Sequence, residues 1–283
     1  MGELRCPANL KVHNVASNLA HVRVMMAAEE NYALFSAYDY LGKGKMDAPM
    51  VEQLSKFKHV IQDSGLFTLL FGSKSGTFGR EDIERYYDRY VRFCEENDYG
   101  YTCVEIDCQN LTGKEHAWEL RRRLRNDLPG RRIINVFHYS DGRDGLDELI
   151  DYSDYIAFSV PEFRKRKCVY LLSKFVNIAK ERKPTIDIHL LGCTAEKLLV
   201  QNKNCTSADS SSWTEISRWW SFGTIKGGPR KDLPQKFRNA CYKNGQSEFY
   251  ESLTEKGKVY NALDYGYLRT KRIFYNQNIG AQD

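Results

Sequence analysis

The sequence has no uncharged stretch approaching the roughly 18 residues a membrane helix needs. Its opening, Met1-Gly2-Glu3-Leu4-Arg5, lacks the apolar core of a signal peptide. These absences lead to the expectation of a soluble, cytoplasmic protein. None of the eight cysteines (Cys6, Cys94, Cys103, Cys108, Cys168, Cys193, Cys205 and Cys241) forms a C-x-x-C pair. Several sit inside apolar runs, as buried free thiols do, so a reducing compartment and no disulfide framework are expected. The chain also lacks an H-E-x-x-H motif, a cysteine–histidine cluster at zinc spacing, a Walker loop and a G-x-G-x-x-G after its first expected strand. Gly72-Ser73-Lys74-Ser75-Gly76 is out of order for a phosphate loop and reads as a flexible loop. No metal and no cofactor is called for. No low-complexity linker or short repeat divides the chain.

What is present is length and aromatic content. The chain has 283 residues, 13% of them aromatic, enough to bury a sizeable core. The formal net charge of +5 is mild and permits a polyanionic partner without requiring one. The basic residues cluster, at Arg121–Arg125, Arg164–Lys167, Lys180–Lys183, Lys226–Lys231 and Arg269–Arg272. Such clusters suit phosphate contacts, and they equally suit solvated helix faces.

Short apolar or β-branched runs alternate with longer amphipathic ones. Strands are expected at His21–Met26, Lys58–Gln62, Tyr101–Ile106, Arg132–Phe137, Tyr155–Phe158, Thr185–Leu190, Cys205–Ala208 and Phe222–Ile225. Helices are expected at Arg80–Asn97, where Ile83, Tyr86, Tyr87, Tyr90, Val91 and Cys94 make a stripe, and at Glu115–Asp127, Gly145–Tyr152, Glu162–Arg182, Ala195–Gln201 and Ser210–Trp220. Eight strands with helices between them predict an α/β fold, a (β/α)8 TIM-type barrel, in preference to an open doubly wound sheet. Residues 1–283 are expected to form a single domain, with a barrel core at about 20–232 and a C-terminal helical extension at about 233–283.

A barrel carries its chemistry at the carboxyl ends of its strands. In this reading Asp63 follows the second strand, Asp107 the third, His138 the fourth, Ser159 the fifth, Leu191-Gly192 the sixth, Asp209 the seventh and Lys226-Gly227-Gly228 the eighth. Each acid alone is explained by turn formation or helix capping. Three acids converging on one mouth suit chemistry at an anomeric carbon, with one carboxylate as nucleophile or charge stabiliser and another as general acid and base. A third acid could accept hydrogen bonds from the donor edge of a purine-like base. A nucleophilic cysteine is the rival, Cys193 being best placed, against a buried structural thiol.

These residues resemble those of the tRNA-guanine transglycosylase superfamily. Asp63-Ser64-Gly65-Leu66-Phe67 is similar to that family's D-S-G-G-F-Q motif, and Ile106-Asp107-Cys108 to its F-D-E-C stretch. Val136-Phe137-His138 lies where the family has an apolar run ending in a base-reading glutamine. Ile156–Val160 resembles I-G-G-L-A-V-G, Leu191–Leu199 resembles M-G-V-G-x-P-x-D-L-L, and Ser207-Ala208-Asp209-Ser210 falls at M-F-D-C. Order and spacing agree from about residue 55 to residue 230. The chain departs from the family at Leu66, Thr68 and His138. It has Ser211-Ser212-Trp213 in place of P-T-R, and no C-x-C-x-x-C…H zinc subdomain. The short, zinc-free form looks most like phage-type relatives (DpdA-like), which exchange guanine in DNA for a 7-deazaguanine such as 7-cyano-7-deazaguanine.

The resemblance implies a pentosyltransferase working by double displacement in the cytoplasm, the host's if the protein is phage-encoded. Asp209 would be the nucleophile at C1′ and Asp63 the general acid and base. Ser64, Gly65, Asp107, His138, Ser159 and Gly192 would form the base pocket. Arg230 and Lys231 would contact DNA phosphates, and Phe67, Phe71, Trp213 or Tyr40 could support an unstacked base. The same exchange on tRNA, a non-catalytic nucleic-acid-binding barrel and an unrelated barrel glycoside hydrolase stand as alternatives.

Overall fold

The structure is a computed structural model that describes residues 10–41, 48–66, 79–193, 195–214, 239, 243 and 259–282. Eight parallel strands close into a barrel in chain order, β1 (Lys11–Val15), β2 (Tyr32–Ser36), β3 (His59–Asp63), β4 (Thr102–Val104), β5 (Ile133–Phe137), β6 (Tyr155–Ser159), β7 (Asp187–Leu191) and β8 (Ser207–Ser210). The ring closes where β8 pairs with β1, His13 standing opposite Asp209. The outer layer comprises α1 (Leu19–Ala27), α2 (Ala48–Leu54), α3 (Arg80–Glu96), α4 (Lys114–Asp127), α5 (Gly142–Tyr152), α6 (Val160–Lys165), α7 (Leu172–Arg182), α8 (Glu196–Gln201) and α9 (Val259–Asn278), besides single turns. This is the expected TIM-type barrel with a C-terminal helix. Among the described residues no helix is long and apolar enough to cross a membrane.

The sequence-based strand count of eight is right, but two of its members differ. His21–Met26 is the body of α1, not a strand. Asn18 caps that helix, its side chain accepting from the His21 N–H at 2.9 Å, and Val22, Val24 and Met25 are buried. In so short a run, alternation and helical spacing place overlapping residues on the buried side. The two strands before Asp63 are β1 and β2, so Asp63 ends the third strand and Asp209 lies within the eighth. Phe222–Ile225 lies outside the described residues, and its expected place in the ring is filled by β8. The expected helix Glu162–Arg182 is broken into α6 and α7, and Ser210 is the end of β8, not a helix start.

Inside the barrel, Leu34, Ile61, Val104, Ile134, Val136, Tyr155 and Ala157 pack together. Two further clusters lie between sheet and helices, one built on Phe35, Tyr87, Tyr90 and Leu124 and one on Phe137, Phe158, Phe163 and Ile188. The wall also holds one buried ion pair. Both Glu105 oxygens meet Arg121, Nε and Nη2 each at 2.7 Å. Asn135 Nδ2 and the Val136 N–H donate to the same carboxylate at 2.5 and 2.8 Å. Six cysteines (94, 103, 108, 168, 193 and 205) are buried free thiols.

Candidate active site

Parallel strands put every strand's carboxyl end on one face, and Asp63, Asp107, His138, Gly192 and Asp209 meet there. Asp63 ends β3, where the chain must turn sharply. Gly65 makes that turn at φ +76°, and a Cβ there would stand 2.5 Å from Ser36 Oγ and Tyr38 Cβ, so only glycine fits. The Gly65 N–H donates to Asp63 Oδ2 at 3.2 Å. Burial, followed by the Asp209 charge and then the weaker Asp107 charge, raises the Asp63 pKa to about 7, while the Gly65 and Ser64 backbone amides pull against it.

Asp209 is held from one side. Its Oδ1 accepts the Gly192 N–H at 2.7 Å and lies 3.2 Å from His189 Nε2. Gly192 sits at φ +61°, with Pro161 Cγ 3.0 Å from where a Cβ would be, so its glycine character aims that amide. His189 was not singled out from the sequence. Its one sequence signal was a histidine within the apolar run Ile188–Leu191; the structure sets it in register with Ser207 on the neighbouring strand. Its Nδ1 lies 2.5 Å from Ser207 Oγ, which in turn lies 2.5 Å from the Tyr155 hydroxyl. Burial raises the Tyr155 pKa and keeps the phenol protonated. The donor order that satisfies every group therefore runs from Tyr155 to Ser207 to His189 Nδ1, leaving Nε2–H for Asp209. The order Ser–His–Asp is that of an acyl-transfer triad, but the array is inverted. Ser207 is 1% exposed, and the acid, not the serine, stands at the mouth.

Asp107 pairs with His138, Oδ1 to Nε2 at 2.6 Å. The alternation of β4 turns Glu105 to the helix layer, and the chain then leaves the strand, Ile106 packing on that same side and Asp107 returning to the mouth. Burial alone would lower the His138 pKa, but the Asp107 hydrogen bond and charge, with help from Glu162 and Asp141, outweigh it and raise it. Glu162 Oε2 lies 3.9 Å from His138 Nδ1. His138 engages one Asp107 oxygen, which leaves the second as an acceptor.

Ser64 and Ser159 sit at the rim with their side chains engaged elsewhere. Ser64 Oγ donates to the Glu105 carbonyl at 2.8 Å, tying the β3 and β4 loops together. Ser159 Oγ accepts the Glu162 N–H at 3.3 Å and caps α6, as its turn reading anticipated. Burial pushes the Cys193 thiol up to about 12, which fits a structural thiol and not a nucleophile. Trp213 is buried, its Nε1–H donating to the Val15 carbonyl at 3.0 Å, so it packs the core and cannot stack on a base. Arg230, Lys231, Thr68, Phe67, Phe71 and the Tyr40 side chain lie outside the described residues. Among the described residues no cluster of three or more His, Cys, Asp or Glu side chains is arranged to hold a metal ion. No protein-family model matches the chain, and no curated protein matches it significantly.

Proposed function

We propose that the protein is a base-exchange transglycosylase that replaces guanine in DNA with a 7-deazaguanine, 7-cyano-7-deazaguanine or a derivative, through a covalent glycosyl–aspartate. The observation that carries this reading is the unequal carboxylate pair. Asp63 holds a proton near neutrality because it is buried and, second, because the Asp209 charge acts on it, and two neighbours fasten one oxygen of Asp209 while the other is left for attack. Environments that push two carboxyls apart assign acid and nucleophile roles.

In the first displacement Asp209 Oδ2 bonds to C1′ and the C1′–N9 bond breaks. Its electron pair leaves with guanine, and the Asp63 proton neutralises the departing base. In the second, the incoming 7-deazaguanine gives the N9 proton of its pyrrole ring to the Asp63 carboxylate and attacks C1′ through N9, and the bond to Asp209 breaks. Two inversions retain configuration. An Asp63 pKa near 7 suits both transfers, since one group must donate and then accept at the same pH. Asp107 takes N–H donors from the base edge, with His138 fixing its orientation. The target must leave its stack, at a cost of a few kcal/mol in a duplex.

Radiolabelled guanine should enter guanine-containing DNA in the presence of the protein, and a 7-deazaguanine should chase it out. Asp209→Ala should abolish exchange and Asp209→Asn should nearly do so. Absence of exchange with single-stranded DNA, duplex DNA and tRNA would refute the proposal. Exchange on tRNA alone would keep the chemistry and change the polymer.

A further inference from the structure

The five basic clusters of the sequence are not alike once folded. In Arg121–Arg125, Arg121 is spent on Glu105, Arg123 on Glu84 and Asp88, and Arg125 on the Tyr152 ring and carbonyl. In Lys180–Lys183, Lys180 holds the Ile186 carbonyl, Arg182 pairs with Asp147 and Asp151, and Lys183 with Asp154. Arg269, Lys271 and Arg272 tie α9 to Glu29 and Glu196. Lys226–Lys231 lies outside the described residues. Arg164–Lys167 is different. All four side chains are exposed, and only Arg166 has an acidic partner among the described residues, Glu162 at 2.9 Å.

Position sets this cluster apart as well. It ends α6, which starts directly from the carboxyl end of β6 with Ser159 as its cap. Pro161, in the first turn of α6, abuts Gly192, the residue whose amide holds Asp209. Arg164, Lys165 and Lys167 therefore follow within six residues of the proline that packs at the mouth. Three residues on, Tyr170 is 76% exposed, the most of any large apolar or aromatic side chain among the described residues. The helix ends with the Cys168 N–H bonded back to the Phe163 carbonyl at 2.9 Å, and Lys167 occupies the left-handed position at φ +56°. Glycine is the usual residue there, so the chain keeps a charge where the backbone favours none.

We propose that Arg164, Lys165, Lys167 and Tyr170 form the docking surface for a single DNA strand, the three cations on consecutive phosphates and Tyr170 stacked on an unpaired base flanking the reacting nucleotide. The proposal rests on the base-exchange reading for its choice of partner. Cation contacts along a backbone with an aromatic platform beside them are the chemistry by which single strands are held. A duplex opened to release one base presents such a strand.

The test is fluorescence anisotropy with a labelled single-stranded oligodeoxynucleotide, run against the same sequence as RNA and titrated with salt. Each phosphate contact contributes about 0.7 to the log–log salt slope. The R164A/K165A/K167A variant should therefore lose about 2 from that slope, and bind about 100-fold more weakly at about 0.1 M salt. Tyr170→Leu should weaken binding by about fivefold or more with the slope unchanged. Lys167→Gly relieves the left-handed strain, so it should hold or raise the melting temperature while weakening binding, which separates docking from folding. The DNA strand should bind more tightly than the RNA, and tighter binding of the RNA overturns DNA as the occupant. A triple variant whose affinity and slope match the parent protein's for both polymers overturns the proposal. Asp209→Asn should bind the strand at least as tightly as the parent. Loss of binding in the patch variants together with no exchange by the parent would sink the catalytic reading and leave the docking surface standing.

Discussion

The Asp63 environment can be measured as stability. Its pKa rises from an ordinary 3.8 to about 7 in the folded protein. The folded state then holds a proton that the unfolded chain has released, and stability falls as pH climbs from about 4 to about 7. The full shift corresponds to about 4 kcal/mol. Asp63 is only partly covered at the mouth, so water screens the effect and about 2 kcal/mol is the expected observable. Asp63→Asn keeps the side-chain shape and removes the titration. Urea unfolding of parent and variant across pH 4 to 9 isolates the effect as a difference. The variant should gain nothing at the acid end and about 2 kcal/mol above neutrality. His13 and His59 oppose this trend in each protein taken alone. Burial lowers both, His59 to about 4, so they withdraw stability as pH falls below about 6.5, but they are common to both proteins and cancel. In an Asp209→Asn background the midpoint should move below 7, because a raising charge is gone. A stability difference that is flat with pH, or largest in acid, would refute the reading of Asp63 as a group held protonated by burial and by Asp209.

Gly192→Ala forces a side chain into the left-handed region and against Pro161, which should cost about 1–2 kcal/mol in urea unfolding and lower exchange by misaiming the residue-192 N–H that holds Asp209. Arg121→Ala leaves Glu105 buried without its partner, and should destabilise by about 3–5 kcal/mol, read as a lower urea midpoint at an unchanged slope. Asp107→Asn removes the main influence raising His138 and leaves burial in charge, so the imidazole titration followed by NMR should drop below its ordinary 6.5.

The parts of the site that local chain geometry forces were legible in the sequence. Asp63-Ser64-Gly65 must turn sharply, and Gly192 must adopt a positive φ to aim its amide, so both stood out as strand ends. Two strands were missed, β1 and β2; β1 carries His13 towards the barrel axis and Asn14 outward to Glu30, so Lys11–Val15 showed no apolar run to recognise. His21–Met26 showed one and is a helix, and the Asn18 cap was the unread signal. His189 was hidden for a physical reason. Its role depends on the β7–β8 register that sets it opposite Ser207 and near Asp209, a pairing no local pattern encodes. The fates of the basic clusters were hidden similarly, because whether an arginine is spent on an acid is a matter of which helix packs beside it.

The polar interior of the barrel supplies a last discrimination. Barrel cores are usually layered with branched aliphatics, and burying polar groups costs free energy unless they bond to one another. Two hydrogen-bonded chains occupy this core. One joins His13 Nε2 to His59 Nδ1 at 2.7 Å and His59 Nε2 to Thr102 Oγ1 at 2.8 Å. The other runs from Tyr155 through Ser207 and His189 to Asp209. Only the second reaches the mouth. If the chains merely fill space, replacing either with apolar residues should act alike. If the second positions Asp209, the two should diverge. His13→Leu with His59→Leu should leave the exchange rate within about threefold, and should flatten the loss of stability below pH 6.5, since the buried bases are gone. His189→Leu should lower kcat by about 10- to 100-fold, the worth of one hydrogen bond to a charged group. His189→Gln, which can present an N–H where Nε2 stood, should recover most of it. Equal kinetic losses from the two apolar replacements, or no recovery with glutamine, would reduce His189 to packing and remove the support it gives to Asp209 as nucleophile.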